Sequence, residues 1–228
     1  MKTYKQVFNE LKSKNEGALV AFTVIGDPDY ETSLDIIKKI IDSGANILEL
    51  GLPFSDPIAD GPTIQAADIR ALSKGMNTDK AFDFIKQIRE YNGKIPIGLL
   101  VYGNLIFQRG IDKFYQDAAK VGINSILGAD IPIEEADDYI KASKSNNIDT
   151  VFIISPLTPD ERIKKIVNNV TGFVYVVSRL GVTGARVSLE NSTLEMIKRI
   201  RKFTNKPLCV GFGISKPEHV KSIVKAGA

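Results

Sequence analysis

Seven short apolar segments, each followed by a helical pattern, constrain this chain more than any other feature. The segments are residues 18–24, 47–50, 95–102, 125–129, 150–154, 172–177 and 207–212. Apolar residues at nearly every position indicate parallel strands that are buried on both faces. Strict alternation of such strands with helices indicates an α/β fold. Seven strand–helix units exceed most doubly wound sheets and approach a TIM (β/α)8-type barrel.

The helices are predicted from apolar residues at helical spacing. An extra N-terminal helix precedes the first strand, because such residues recur from Tyr4 to Leu11. The later helices are predicted at 30–42, 63–91 with a break at 74–77, 111–120, 134–145, 159–168, 189–202 and 217–225. No linker or low-complexity segment interrupts them, so we expect residues 1–228 to form a single barrel domain.

A short motif with a central glycine recurs where helices end and strands begin. Gly44 and Gly122 each close a helix just before a strand, and both are expected to be left-handed cap residues. Gly227 occupies the same position in a third copy, after which the sequence stops. We therefore expect the barrel to lack its eighth strand and final helix, which leaves the edge of strand 207–212 open.

Composition excludes several classes of protein. The net charge is +3, and the Lys and Arg residues are scattered among acids rather than clustered, so no nucleic-acid partner is predicted. Cys209 is the only cysteine, which excludes an intrachain disulfide and fits a reducing compartment. The N-terminus lacks signal-peptide features, and no apolar run approaches the roughly 20 residues of a membrane span. We expect a cytoplasmic protein with no membrane partner.

Glu49 is the most informative single residue. It lies between Leu48 and Leu50 in an apolar strand, although a buried carboxylate is costly unless pairing or function requires it. Strand alternation directs Leu48 and Leu50 to the helix layer and Glu49 into the barrel, near the carboxyl ends of the strands where barrel active sites lie. The alternative is a Glu paired with a buried cation, but no predicted strand contains a basic residue. Catalysis is the favoured interpretation.

Other carboxylates have structural interpretations as well. Asp60 precedes Gly61-Pro62, which is equally consistent with a turn or helix-capping role. Asp56 is interpreted as a turn or surface residue, and Asp130 as a helix cap. His219, the only histidine, is expected on the surface of the last helix, so neither a histidine-based triad nor a histidine metal site is predicted.

The strand ends supply apolar and aromatic side chains that together would form a flat slot suited to an aromatic ring. These residues are Phe22, Leu100, Tyr102, Leu127, Ile153, Tyr175 and Phe212. Each of them alone is better explained as core. Glycine-rich loops at 180–184 and 211–215 could bind a phosphate through backbone N–H groups. Lys216 stands where the third glycine of a dinucleotide fingerprint belongs, so that type of site is excluded.

Three segments resemble one family in order along the chain. Residues 49–65 read ELGLPFSDPIADGPTIQ, residues 178–184 read SRLGVTG, and residues 211–215 read GFGIS. They resemble the tryptophan synthase alpha chain, and the first segment is long and highly specific. The resemblance implies a lyase that cleaves indole-3-glycerol phosphate to indole and glyceraldehyde 3-phosphate by a retro-aldol reaction.

The resemblance also implies residue roles. Glu49 matches the catalytic acid and base, and Asp60 matches the carboxylate that accepts a hydrogen bond from the indole N–H. The substrate would be lined by Phe22, Leu100, Tyr102, Leu127, Ile153, Tyr175, Thr183 and Phe212, with N–H groups of Gly184 and Gly213 on its phosphate. The family's Gly-Ser phosphate contact on the eighth strand has no counterpart in this sequence.

The implied partner is a tryptophan synthase beta chain in an alpha2beta2 heterotetramer. No cofactor is implied for this chain, and pyridoxal phosphate is expected only on the beta partner. Loops 53–62 and 179–189 would close the site and report its occupancy to that partner. The alternatives are an inactive truncated form and another phosphate-binding barrel enzyme. An indole-glycerol-phosphate synthase relative would need a basic catalytic residue in a strand, and none is found.

Overall fold

A computed structural model describes residues 1–177, 191–211, 214 and 216–228. The helices are α1 Tyr4–Ser13, α2 Tyr30–Asp42, α3 Pro62–Ser73, α4 Thr78–Tyr91, α5 Gly103–Arg109, α6 Ile111–Lys120, α7 Asp137–Ser145, α8 Asp160–Asn169, α9 Asn191–Arg201 and α10 Pro217–Ala226. The strands are β1 Val20–Val24, β2 Ile47–Gly51, β3 Ile97–Val101, β4 Ser125–Gly128, β5 Asp149–Thr150, β6 Phe152–Ile154, β7 Val174–Val177 and β8 Leu208–Gly211.

All strand pairs are parallel and follow chain order. β1 to β5 form one sheet in the order β1-β2-β3-β4-β5, and β6, β7 and β8 form a second in sequence order. β5 and β6 are two parts of the single strand predicted at 150–154, divided at Val151, so seven barrel strands result. Within the described residues no ladder joins β8 to β1. The predicted α/β barrel with an additional N-terminal helix is confirmed.

Alternating side chains build two separate apolar layers. Ile47 packs inside the barrel with Leu127 and Val151. Leu48 and Leu50 pack outside the sheet, in the cluster that the helices cover. The predicted direction of the β2 side chains is therefore confirmed, and Glu49 shares the inward face with Ile47.

Helix α1 covers the end of the barrel where the strands begin. Thr3 caps the helix in a reciprocal pair with Gln6. Tyr4 enters the barrel, where its hydroxyl lies 2.7 Å from Ser125 Oγ at the start of β4. Gly98 leaves room for this contact, because a Cβ there would lie 2.9 Å from both oxygens. The hydrogen bond satisfies two buried hydroxyls and ties the first helix to the sheet.

Glycine caps form where the repeated glycine motif predicts them. The φ angles are +93° at Gly44, +79° at Gly122 and +105° at Gly227, all in the region that side chains rarely adopt. At Gly44 and Gly122 the chain can therefore turn sharply from the helix toward the next strand. None of the helices in the described part of the chain is long and apolar enough to cross a membrane.

Three details differ from the sequence predictions. Helix α5 was not predicted, since seven residues are too few to show a helical period. The helix predicted at 134–145 is a 3-10 turn at Ile133–Glu135 followed by α7. His219 is buried, so its predicted surface position is wrong. It lies one turn before Ile223, on the face that α10 packs against the core.

Candidate active site

The Glu49 carboxyl lies in the middle of β2, inside the barrel. It is only 5% exposed, and burial raises its pKa from 4.5 to about 8. Among the described residues its carboxyl makes no hydrogen bond or ion pair. No fully buried side-chain oxygen or nitrogen in that part of the chain lacks a partner, so the Glu49 oxygens retain some accessible surface. The alternative of a cation-paired glutamate is not what the described residues show.

The surroundings of Glu49 are apolar and aromatic. Its negative charge contributes to the raised pKa values of the Tyr4, Tyr175 and Cys209 side chains, although burial is the larger cause in each. None of these neighbours is a cation that would lower the pKa of Glu49. A carboxyl in such a place keeps its proton at neutral pH and can donate it.

Asp60 lies beyond the carboxyl end of β2 and is also buried. Its Oδ2 accepts a hydrogen bond of 2.8 Å from the Tyr102 hydroxyl. That hydroxyl in turn accepts one from the Ala59 N–H at 3.0 Å. Burial raises the pKa of Asp60, and the bond from Tyr102 partly offsets this. Gly61, not Asp60, is the N-cap of α3, so the capping alternative is wrong.

Tyr175 is affected by the charges of both carboxyls. Burial raises the pKa of its hydroxyl, and the charges of both Glu49 and Asp60 raise it further. A Cβ at Gly211 would overlap that hydroxyl, so the tyrosine ring reaches across to β8. Both carboxyls therefore lie within electrostatic range of the same buried tyrosine.

Four more of the predicted lining residues lie on the inward faces of their strands. Leu100, Ile153 and Leu127 pack in the interior cluster. The Phe22 ring lies 3.0 Å from where a Cβ of Gly51 would stand. The remaining predicted residues, Thr183, Gly184, Phe212 and Gly213, lie outside the described residues.

The other two carboxylates occupy loops. Asp56 is exposed and accepts a hydrogen bond from Ser55 Oγ, as expected of a turn residue. Asp130 does act as a cap, but for a different helix: its Oδ1 accepts a 2.7 Å bond from the N–H of Gly103, the first residue of α5. Within the described residues, no group of three or more His, Cys, Asp or Glu side chains is placed to hold a metal ion.

Sequence reasoning missed one buried carboxylate near the site, that of Asp68 on α3. It is 4% exposed, and burial raises its pKa to about 7, with a further rise from the nearby charge of Asp60. The signal was present, since Asp68 lies between Ile64, Ala67 and Ala71 on the apolar stripe of α3. Burying a carboxylate in that apolar stripe is costly, as it is for Glu49, unless pairing or function requires it.

Comparisons with known proteins point to one family. The family model described as tryptophan synthase alpha chain matches residues 8–228. The tryptophan synthase alpha chain of Methanothermobacter thermautotrophicus is 53% identical over 211 residues, which cover 92% of this chain and 78% of that protein.

Solved structures agree in fold. A chain of tryptophan synthase from Mycobacterium tuberculosis has a TM-score of 0.92 at 30% identity, covering 98% of this chain and 85% of that one. A chain from the tryptophan synthase a2b2 complex of Pyrococcus furiosus has a TM-score of 0.86 at 40% identity, covering 92% and 84%.

Proposed function

Because the chain belongs to the tryptophan synthase alpha chain family, we propose that Glu49 and Asp60 perform its chemistry. The protein is a carbon–carbon lyase of tryptophan biosynthesis that cleaves indole-3-glycerol phosphate to indole and glyceraldehyde 3-phosphate. The observation that supports the residue assignment is the buried Glu49 carboxyl, which has no hydrogen bond or ion pair among the described residues and is protonated at neutral pH because burial raises its pKa to about 8.

Glu49 acts first as an acid and then as a base. Its proton goes to the indole ring carbon that bears the glycerol phosphate side chain. The resulting carboxylate then takes the proton of the adjacent hydroxyl as the carbon–carbon bond breaks, which gives the aldehyde and restores the acid. General acid–base catalysis of this kind contributes about 10²–10⁴-fold.

Asp60 stabilises the charge that develops on the indole nitrogen. Protonation of the ring carbon makes the N–H more positive, so a carboxylate that accepts its hydrogen bond lowers the barrier. The Tyr102 hydroxyl, 2.8 Å from Asp60, orients that carboxylate. The indole ring would lie among Phe22, Leu100, Tyr102, Leu127, Ile153 and Tyr175, with Thr183 and Phe212 completing the slot and Gly184 and Gly213 on the phosphate.

A matched pair of variants tests the assignment of Glu49. We expect Glu49→Gln to reduce indole release from indole-3-glycerol phosphate by at least about 100-fold. Asp149→Asn is the control, because Asp149 is a partly buried carboxyl whose pKa is also raised by burial, but it lies at the opposite end of the barrel. Equal rates in Glu49→Gln and the unmodified protein would show that another group transfers the proton.

We also propose that a tryptophan synthase beta chain docks over the site. Three large apolar side chains lie exposed on segments that follow the strand ends: Ile58 at 77%, Phe107 at 68% and Leu157 at 71%. Exposed apolar residues grouped on one face commonly mark a protein interface. A pull-down with a beta chain, comparing the unmodified protein with Ile58→Asp and Phe107→Asp, tests this; undiminished binding by both variants would contradict it.

The proposed reaction requires no cofactor in this chain. Both proton transfers use Glu49 alone, and Asp60 supplies the electrostatic stabilisation, while pyridoxal phosphate would belong to the beta chain. Indole release by the isolated protein is expected to be the same with and without added pyridoxal phosphate or a metal chelator. A rate that depends on either additive would contradict the proposal.

A further inference from the structure

The turn from β3 into α5 is held by hydrogen bonds on two sides. On one side, the Tyr102 hydroxyl donates to Asp60 Oδ2 at 2.8 Å and accepts from the Ala59 N–H at 3.0 Å. On the other side, Asp130 Oδ1 accepts a 2.7 Å hydrogen bond from the Gly103 N–H. Tyr102 and Gly103 are neighbours in the chain, so two hydrogen bonds and the residues between them join Asp130 to Asp60.

The N-cap position of α5 shows why a carboxylate from another loop is used. Tyr102 occupies this position, and its side chain makes no capping hydrogen bond. Ser, Thr, Asp or Asn is usual there, because a short polar side chain can satisfy an unpaired N–H of the first turn. The hydroxyl of Tyr102 is bonded to Asp60 instead. Asp130, on the loop after β4, supplies an acceptor for the first N–H of the helix.

Gly103 allows this loop to approach closely. A Cβ at Gly103 would lie 3.1 Å from Ile131 Cγ1 and 3.3 Å from Asp130 Oδ1. Glycine is typical of positions where one backbone segment comes this near to another. Tyr102, just before it, is only 2% exposed, so its ring is fixed by packing as well. A shift of the Gly103 backbone is therefore passed to the Tyr102 hydroxyl.

We propose that Asp130 is a positioning residue for the cleavage reaction: its oxygen fixes the backbone at Gly103 and thereby holds the Tyr102 hydroxyl against Asp60. The proposal deepens the role proposed for Asp60 and rests on it. In this role Asp130 acts only through Tyr102 and does not contact the substrate. Asp60 acts where charge develops in the transition state, so its displacement lowers kcat more than it raises KM.

Two variants separate the acceptor oxygen from the charge. Asp130→Asn keeps an acceptor, whereas Asp130→Ala removes it, and neither opens a cavity in the core because Asp130 is exposed. We expect Asp130→Ala to lower the kcat of indole release by about tenfold, with KM within about twofold. Asp130→Asn is expected to stay within about threefold of the unmodified protein. Equal losses in both variants, or an unchanged kcat in Asp130→Ala, overturn the proposal.

Asn77 provides a control for the loss of a helix cap as such. Its Oδ1 accepts a 3.0 Å hydrogen bond from the Lys80 N–H and caps α4. Asn77→Ala is expected to lower stability as a lost cap does but to keep kcat within about twofold. A tenfold loss of kcat in this variant would show that losing any cap lowers activity, which overturns the proposal.

A double-mutant cycle tests whether Asp130 acts through the Tyr102 hydroxyl. In a Tyr102→Phe background, Asp130→Ala is expected to cost less than about threefold, because the hydroxyl that it positions is already gone. Full additivity of the two losses overturns the proposal. Asp60→Asn separates this proposal from the proposed function. If Asp60→Asn keeps full activity, the role of Asp60 fails; if it loses activity and Asp130→Ala does not, only the role of Asp130 fails.

Hydrogen exchange tests the Asp130 contact separately from activity. The Gly103 amide is expected to exchange at similar rates in the unmodified protein and in Asp130→Asn. In Asp130→Ala it is expected to exchange at least about tenfold faster, because the acceptor that protects it is missing. Equal exchange of this amide in all three proteins overturns the proposal, since the Asp130 oxygen would then not hold the Gly103 backbone.

Discussion

The start of the barrel and the surroundings of Glu49 differ in how their buried polar groups are partnered. Where the strands begin, these groups are paired: Tyr4 bonds to Ser125, and Asn124 Oδ1 accepts from the Ile97 N–H at 2.9 Å. Toward the carboxyl ends, the Glu49 carboxyl has no hydrogen bond or ion pair among the described residues.

The difference separates stability from chemistry. A buried polar group with a partner contributes modestly to stability, whereas one without a partner costs about 1–3 kcal/mol. A carboxyl without a partner among the described residues therefore gains no stabilising hydrogen bond there, and under the proposed function the substrate is its partner. Substitutions at the paired end should reduce stability and spare catalysis, and substitutions at the carboxyl end should do the reverse.

The largest effect is expected at Asp60. Asp60→Asn removes the negative charge facing the indole N–H but keeps an oxygen for the Tyr102 hydroxyl. We expect indole release to fall by about 10²–10³-fold with almost no change in the free energy of unfolding. Asp56→Asn, an exposed change in the same loop, is the control in the isolated protein. A loss of stability large enough to explain the loss of activity would contradict the distinction between residues for stability and residues for catalysis.

Arg89 provides the largest expected effect at the paired end. Its guanidinium donates to the carbonyl of Gly122 at 2.8 Å, to Asn124 Oδ1 at 2.8 Å and to the carbonyl of Ile95. Arg89→Met keeps the aliphatic stem and loses these charged hydrogen bonds, so we expect a loss of about 3 kcal/mol in urea unfolding. Indole release at 25 °C should change less than about twofold, and a loss comparable to that of Asp60→Asn would contradict the comparison.

The raised pKa of Glu49 should also make the stability of the protein depend on pH. The folded protein holds this proton up to about pH 8, whereas the unfolded chain releases it near 4.5. Between these values the folded state binds more protons, so its stability falls as pH rises. Glu49→Gln removes this contribution and should be more stable than the unmodified protein at pH 9, by on the order of 5 kcal/mol, but not at pH 4. A constant difference across that range would contradict the shift.

The smallest effect is expected at Tyr4. Tyr4→Phe removes one hydroxyl and leaves that of Ser125 buried without it, so we expect a loss of about 1 kcal/mol with unchanged activity. Adding Ser125→Ala should recover part of this loss, because both partners are then gone. A double variant that loses the sum of the two single effects would show that the hydrogen bond is unimportant.

Local sequence signals predicted the positions of the strands, the glycine caps and the inward direction of Glu49, because each depends on a few neighbouring residues. Contacts between distant segments were not predictable in this way. Asp130 caps a helix that begins 27 residues earlier, and Tyr102 donates to Asp60, which lies 42 residues before it. The same applies to His219, whose burial depends on where α10 packs rather than on its own sequence.

The pKa of Glu49 is the most direct test of the account. The protein would be labelled with ¹³C at the glutamate side-chain carboxyl carbons, and the Glu49 resonance would be assigned by its absence in Glu49→Gln. The account predicts a titration midpoint near 8. A midpoint near 4.5 would mean that Glu49 is ionised at neutral pH and does not act as the acid of the cleavage reaction.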